Sequence, residues 1–280
     1  KDLDAALLTA PDGVAWLLNV RGGDVDHTPL PLSFAILGAD AGVSWFVDAA
    51  KLDGGVREWV GNQVDIQPFE QFPTALEAFK GKRVLVPRSA PAATSQILEA
   101  NGAETKSGDD PTSLPKARKN AAEIAGTRAA HLRDAVAIAR FLYWLDTEAQ
   151  AGGVTELQAS DQLEAYRREL EGFRDLSFPT ISGAGPNGAI VHYRVTPESD
   201  RELEPGSLYL VDSGGQFVDG TTDITRTIAI GVPTDEMRRA YTLVLKGHLA
   251  LSAAKFPKGA TGAQLDSLAR APLWAAGLDF

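Results

Sequence analysis

The chain contains no cysteine among its 280 residues. Disulfides, thiolate metal sites and cysteine nucleophiles are therefore excluded, and a reducing compartment is compatible but not demanded. No apolar run approaches the ~20 residues that cross a bilayer, so a membrane-spanning helix is excluded. The start "KDLDAALLTAPDG" has neither a basic segment nor a long apolar stretch, and no signal peptide is visible in it. Positive charge is in deficit: 27 Lys and Arg face 37 Asp and Glu, a formal net charge of −10. A nucleic-acid backbone or an anionic membrane surface would repel such a chain, whereas metal cations or a positively charged ligand would not.

What is present has the texture of an ordinary globular protein, with length enough for two domains. In residues 1–110, "AALLTA", "SFAILGA", "VSWFVDA" and "RVLVP" read as buried strands, and "GGVREWVGNQV" and "TSQILEANG" as helices. Strands alternating with helices predict an α/β layered domain. The segment "SGDDPTSLPKARKN", at 107–120, carries two prolines and a switch from acidic to basic residues, and reads as a linker. A long helix is predicted from about Ala117 to Gln150, with Ile124, Leu132, Val136, Ala139 and Leu142 as its apolar stripe, extended by Tyr143 and Leu145. A second helix starts at Thr155 and runs to about Leu170. The blocks "FPTISG", "AIVHYRV", "SLYLVDSG" and "TDITRTIAIG" then read as strands, and two helices follow. The second half is thus expected to be α+β, with helices on one side of a mostly antiparallel sheet.

Three motifs carry chemistry. "GAGPNG" at 183–188 fits a dinucleotide-binding pattern in letters only, because Pro186 sits inside it and a strand-like run follows. "DSGG" at 212–215 offers Ser213 as a nucleophile, which needs a histidine base. Of the four histidines, His131 and His248 lie on amphipathic helices and His27 in a polar loop. His192 alone shares the β-rich block with Ser213. In the third reading Asp212 and Asp223 form one acidic site. A hairpin whose midpoint falls between Phe217 and Val218 would set them opposite, with Cβ atoms ~4.5–5.5 Å apart, a spacing suited to a pair of metal ions. A two-residue turn at Asp219–Gly220 would instead put Gln216 opposite Asp223 and separate the pair.

The run "FPTISGAGPNGAIVHYRVTPESDRELEPGSLYLVDSGGQFVDGTTDITRTIAIG" closely resembles the Xaa-Pro aminopeptidases (aminopeptidase P), in their larger multi-domain branch. "KNAAEIAGTRAAHLRDAVAIARFLYWL", "YTLVLKGHLALSAAKFPKG" and "VAWLLNVRGGDVDHTPL" resemble the same family. The resemblance implies an α/β middle domain of the creatinase N-terminal type over 1–115. It implies the first half of an α+β pita-bread catalytic domain over 116–280. It implies Asp212 and Asp223 as two of five ligands to two divalent metal ions, commonly Mn²⁺, and His192 as a catalytic histidine beside them. The substrates implied are peptides with proline at the second position, cleaved in the cytoplasm by a homodimer. The other three ligands, one His and two Glu, are expected beyond "LWAAGLDF", so the chain reads as cut at both ends and, alone, as a weak metal binder without turnover. Such a cut is expected to expose the apolar face that packs the second half. A truncated paralogue that only binds peptides or a partner is the alternative from the binding class, and a Ser213 hydrolase the third reading.

Overall fold

The apolar runs of the first hundred residues become the centre of one sheet. In the computed structural model, which describes residues 2–280, the order along the chain begins β1 (Ala5–Leu8), α1 (Pro11–Leu18), β2 (Phe34–Gly38), β3 (Val43–Phe46) and α2 (Gly54–Val60). There follow β4 (Val64–Gln67), α3 (Phe72–Glu77), β5 (Arg83–Pro87), α4 (Ala92–Ala100), β6 (Glu104–Gly108), α5 (Ser113–Ala117) and α6 (Ala121–Trp144). The remainder is α7 (Glu156–Arg168), β7 (Phe173–Leu176), β8 (Ile181–Ala184), β9 (Ser207–Ser213), β10 (Gly215–Phe217), β11 (Gly220–Thr221), β12 (Ile224–Ile230), α8 (Asp235–Ser252) and α9 (Gly262–Trp274).

The chain divides into two units. The first comprises 1–135, 167–179 and 213–223; the second comprises 136–166, 180–212 and 224–280. In the first, a six-stranded mixed sheet runs in the order β4-β3-β2-β1-β5-β6. Successive residues of its strands go to opposite faces, as the pleat requires. Leu7, Ile36 and Phe46 join Phe72, Leu76 and Leu98 on one side. Leu8, Ala35 and Trp45 join Val14 and Val20 on the other. Both faces are covered, which is why these strands read as unbroken apolar runs. Local signals set the helix ends: Pro11 opens α1, and Asp53 caps α2 by accepting from Val56 N at 2.9 Å.

The stretch at 107–120 is not a plain linker. It holds the end of β6 and all of α5, with Thr112 buried and bonded through Oγ1 to Asp110 at 2.6 Å, and Lys116 paired with Asp12. Its prolines fit because Pro115 falls within the first turn of α5, where a backbone donor is dispensable.

The expected stripe of the long helix is corrected more sharply. The buried positions of α6 are Ala130, Asp134, Ala137, Ile138 and Phe141, with Leu145 in the π-helical turn that follows. Ile124, Leu132, Val136 and Tyr143 are exposed, Leu132 at 74%, as is Ala139. Only Leu142 and Leu145 of the expected stripe face the interior. The helix has two apolar faces, and the interior side is marked by small alanines and a paired carboxylate rather than by its largest aliphatics.

The second unit packs Ile138, Phe141, Leu145, Leu163, Leu203, Tyr209, Val211 and Ile230 into one core. Its three-stranded sheet has the order β12-β9-β8, with β8 and β9 antiparallel. Thr234 caps α8, Thr261 and Gln264 form a reciprocal capping box on α9, and the two helices pack closely at Gly247.

Candidate functional site

The glycine-rich run after β9 is shaped by close backbone approach. Along β9, Tyr209, Val211 and Ser213 are buried, alternating with less buried Leu210 and Asp212. β9 pairs with β8 in a register that sets Ile181 against Asp212 and Ala184 against Tyr209. At Gly214 a Cβ would lie 1.9 Å from the Thr222 carbonyl and 2.3 Å from Ser177 Oγ, so only glycine fits.

The hairpin beyond it takes neither of the registers considered from sequence. Gln216 pairs with Thr221 and Phe217 with Gly220, leaving Val218–Asp219 as the two-residue turn. Its midpoint therefore falls one residue later than the register that sets Asp212 against Asp223, and β9 and β10 belong to different sheets. The cause is tertiary. Gly126 of α6 admits the Asp219 carbonyl where a Cβ would stand 2.3 Å away, Arg133 pairs with Asp219, and the Arg133 guanidinium lies over the Phe217 ring at 5.4 Å. Docking on α6 fixes the turn, and local sequence carries no trace of it.

Each expected site residue then has a definite place. Asp212, the last residue but one of β9, is half-buried, and its Oδ1 is buried with no hydrogen-bond partner. Asp223 is exposed in the short connection between β11 and β12, within the other unit. Ser213 is wholly buried and its Oγ has no hydrogen-bond partner, so no histidine among the described residues is bonded to it as a base. The nucleophile reading lacks its second member.

His192 is exposed, with φ +54°, but not on a strand. The expected strand "AIVHYRV" is absent, and a 3₁₀ turn (Gly185–Ala189) leads into irregular backbone. Glu156 explains the departure. This carboxylate is completely buried at the start of α7. It accepts from Ala184 N at 2.6 Å, Asn187 Nδ2 at 2.9 Å, Tyr193 OH at 3.0 Å and Arg201 N at 3.3 Å. One acid thus gathers the segment that carries His192 and draws Tyr193 inward, and the side-chain bonds replace those of a ladder. Burial, ahead of the neighbouring Glu156 carboxylate, raises the Tyr193 phenol and keeps it a donor. Ser182 Oγ donates to the Glu156 carbonyl at 2.7 Å and lies 2.7 Å from Tyr209 OH, whose pKa is pushed up by burial. Glu156 was missed from sequence, where it read only as an acid in a helix's first turn.

An orphaned, buried carboxylate oxygen is costly, and a cation is the natural partner for it. Carboxylate donors suit hard divalent ions. Among the described residues no group of three or more His, Asp and Glu is placed to hold a metal ion.

A creatinase-type α/β domain followed by an α+β domain is the architecture of the pita-bread peptidases. The chain belongs to metallopeptidase family M24, whose model matches residues 125–280, and residues 1–123 match the creatinase/prolidase N-terminal domain. It is 42% identical to a probable Xaa-Pro aminopeptidase P from Laccaria bicolor, across all of this chain and 44% of that protein. It is 40% identical to the counterpart from Coprinopsis cinerea, covering 99% of this chain and 47% of that one. The chain thus spans less than half the length of these curated relatives. Among solved structures, an X-prolyl aminopeptidase from Caenorhabditis elegans is 34% identical with a TM-score of 0.91, covering 99% of this chain and 47% of that one. It is described as a cytosolic enzyme with a di-nuclear active site. A prolidase from Pyrococcus furiosus, 22% identical with a TM-score of 0.74 over 98% of this chain and 76% of that one, shares the fold.

Proposed function

We propose that the protein is an Xaa-Pro aminopeptidase, hydrolysing the bond between an N-terminal residue and a following proline. The observation that carries this reading is the likeness to the C. elegans enzyme, at 34% identity and a TM-score of 0.91 over 99% of the chain. Asp212 and Asp223 are assigned as ligands to two divalent metal ions, Mn²⁺ following the family resemblance and compatible with the hard oxygen donors. The orphaned oxygen of Asp212 supports that assignment. Held by these aspartates, a metal pair would supply polarisation of a peptide carbonyl and a water made nucleophilic at neutral pH.

The remaining roles fall to side chains of this chain. The two carboxylates make the site anionic, which favours the ammonium of a free peptide N-terminus. His192 is exposed on a segment anchored by Glu156, and is assigned to orient the peptide and to exchange a proton with it. The catalytic domain is placed from residue 116 onward, the enzyme in the cytoplasm, and its assembly as a homodimer.

The reading is tested by assaying the full-length protein on an Xaa-Pro peptide with Mn²⁺. Asp212→Ala and Asp223→Ala should each abolish turnover, and Ser213→Ala should leave it largely intact. Full activity in either aspartate variant, or after exhaustive chelation, would overturn it.

A further inference from the structure

Thr222, the residue just before Asp223, is completely buried, and each of its polar atoms is engaged. Its N–H donates to Gly215 O at 2.9 Å. Its Oγ1 donates to Asp134 Oδ2 at 2.8 Å and accepts from Gly215 N at 2.9 Å. Its carbonyl accepts from Ser177 Oγ at 2.9 Å. That carbonyl belongs to the planar peptide joining Thr222 to Asp223, so Ser177 fixes the plane from which Asp223 departs. Asp134 is itself clamped: Arg167 Nε donates to Oδ1 at 2.7 Å and Nη2 to Oδ2 at 3.2 Å, and both side chains are 0% exposed.

A wholly buried ion pair is a poor device for stability alone, because taking both charges out of water offsets most of their attraction. It is a good device for fixing geometry. Asp134, Arg167 and Ser177 all belong to the first unit: Asp134 and Ser177 bond Thr222 directly, and Arg167 holds Asp134. The glycine at 214 is what lets Ser177 and the Thr222 carbonyl approach.

We infer that Asp134, held by Arg167 and acting through Thr222 together with Ser177, is a positioning set that fixes the aim of the Asp223 carboxylate. The inference rests on reading Asp223 as a metal ligand. Groups that orient a metal ligand tune its affinity, and their removal typically costs about 10- to 100-fold. A network that only stabilised the hairpin would move the melting temperature and leave the affinity alone.

The test is Mn²⁺ affinity of the full-length protein, read from the electron paramagnetic resonance signal of free Mn²⁺ beside the melting temperature of the metal-free form. Thr222→Val removes the hydroxyl at nearly constant volume, and Thr222→Ser returns it. Ser177→Ala removes the second hold and carries the test alone if the buried valine prevents folding. The expected result is a loss of about 10- to 100-fold in Thr222→Val and Ser177→Ala, with recovery in Thr222→Ser. Asp223→Asn should lose the tight site. Wild-type affinity in folded Thr222→Val and Ser177→Ala, with the site lost in Asp223→Asn, would overturn the positioning role. So would a folded Thr222→Ser that fails to recover. Wild-type affinity in Asp223→Asn would instead remove the metal reading on which the inference rests.

Discussion

Four donors depend on the buried carboxylate of Glu156, and two of them, Ala184 N and Arg201 N, are backbone groups that cannot turn elsewhere. Replacing it by alanine strands several of them at once, each at about 1–3 kcal/mol. Glu156→Ala is therefore expected to cost more than about 3 kcal/mol, read from the urea midpoint, and a loss below about 1 kcal/mol would contradict this account. A second residue gives a pH signature. Asp24 Oδ2 accepts from Lys51 Nζ at 2.5 Å and from Leu32 N at 2.6 Å, and the lysine bond, ahead of that backbone donor, holds the Asp24 carboxyl below its ordinary value. A depressed acid lends stability that is present above its unfolded pKa of about 3.9 and lost as the pH falls through the folded one. Asp24→Asn should therefore flatten the fall in melting temperature below about pH 4 and lower the plateau at neutral pH. Asp212 and Asp223 can be proposed from sequence because they lie eleven positions apart within one motif. Glu156 and Asp134 cannot, because their partners lie 28 to 88 positions away in sequence.

Elements show the same division between local and distant causes. β1, β2, β3 and β5 could be read directly, since burial on both faces leaves no polar alternation. β4 (VDIQ) and β6 (ETKSG) are the two edge strands, and their polar residues hide them. α6 was placed correctly along the chain but rotated about its axis, because Leu132, Val136 and Tyr143 outrank the alanines that actually face inward. The α8–α9 contact depends on a glycine whose role periodicity cannot show. A Cβ at Gly247 would stand 2.0 Å from the Ala269 carbonyl. Helix propensity favours alanine over glycine by about 1 kcal/mol, yet overpacking against rigid backbone costs about 1–3 kcal/mol. Gly247→Ala should therefore be neutral to destabilising despite the gain in propensity. A clear rise in the urea midpoint would show that the two helices separate at little cost.

For the whole molecule, charge and apolar surface set the behaviour. Tyr241, Val244, Leu245 and Leu249 are exposed along α8, and apolar rows of that kind mark surfaces that other protein segments cover. The net charge of −10 draws divalent cations generally, so a metal effect on stability needs a control that separates a site from a field. A ligand that binds only the folded state stabilises by about 2.7 kcal/mol at one hundred times its dissociation constant. With Asp212 and Asp223 as ligands, Mn²⁺ should raise the melting temperature of the full-length protein saturably, and Asp212→Asn should abolish the rise. Diffuse attraction behaves differently, because it fades within a Debye length of about 10 Å at 0.1 M salt and follows ionic strength rather than occupancy. An equal rise from NaCl at matched ionic strength, or an undiminished rise in Asp212→Asn, would assign the effect to the field and leave the orphaned oxygen of Asp212 without its cation.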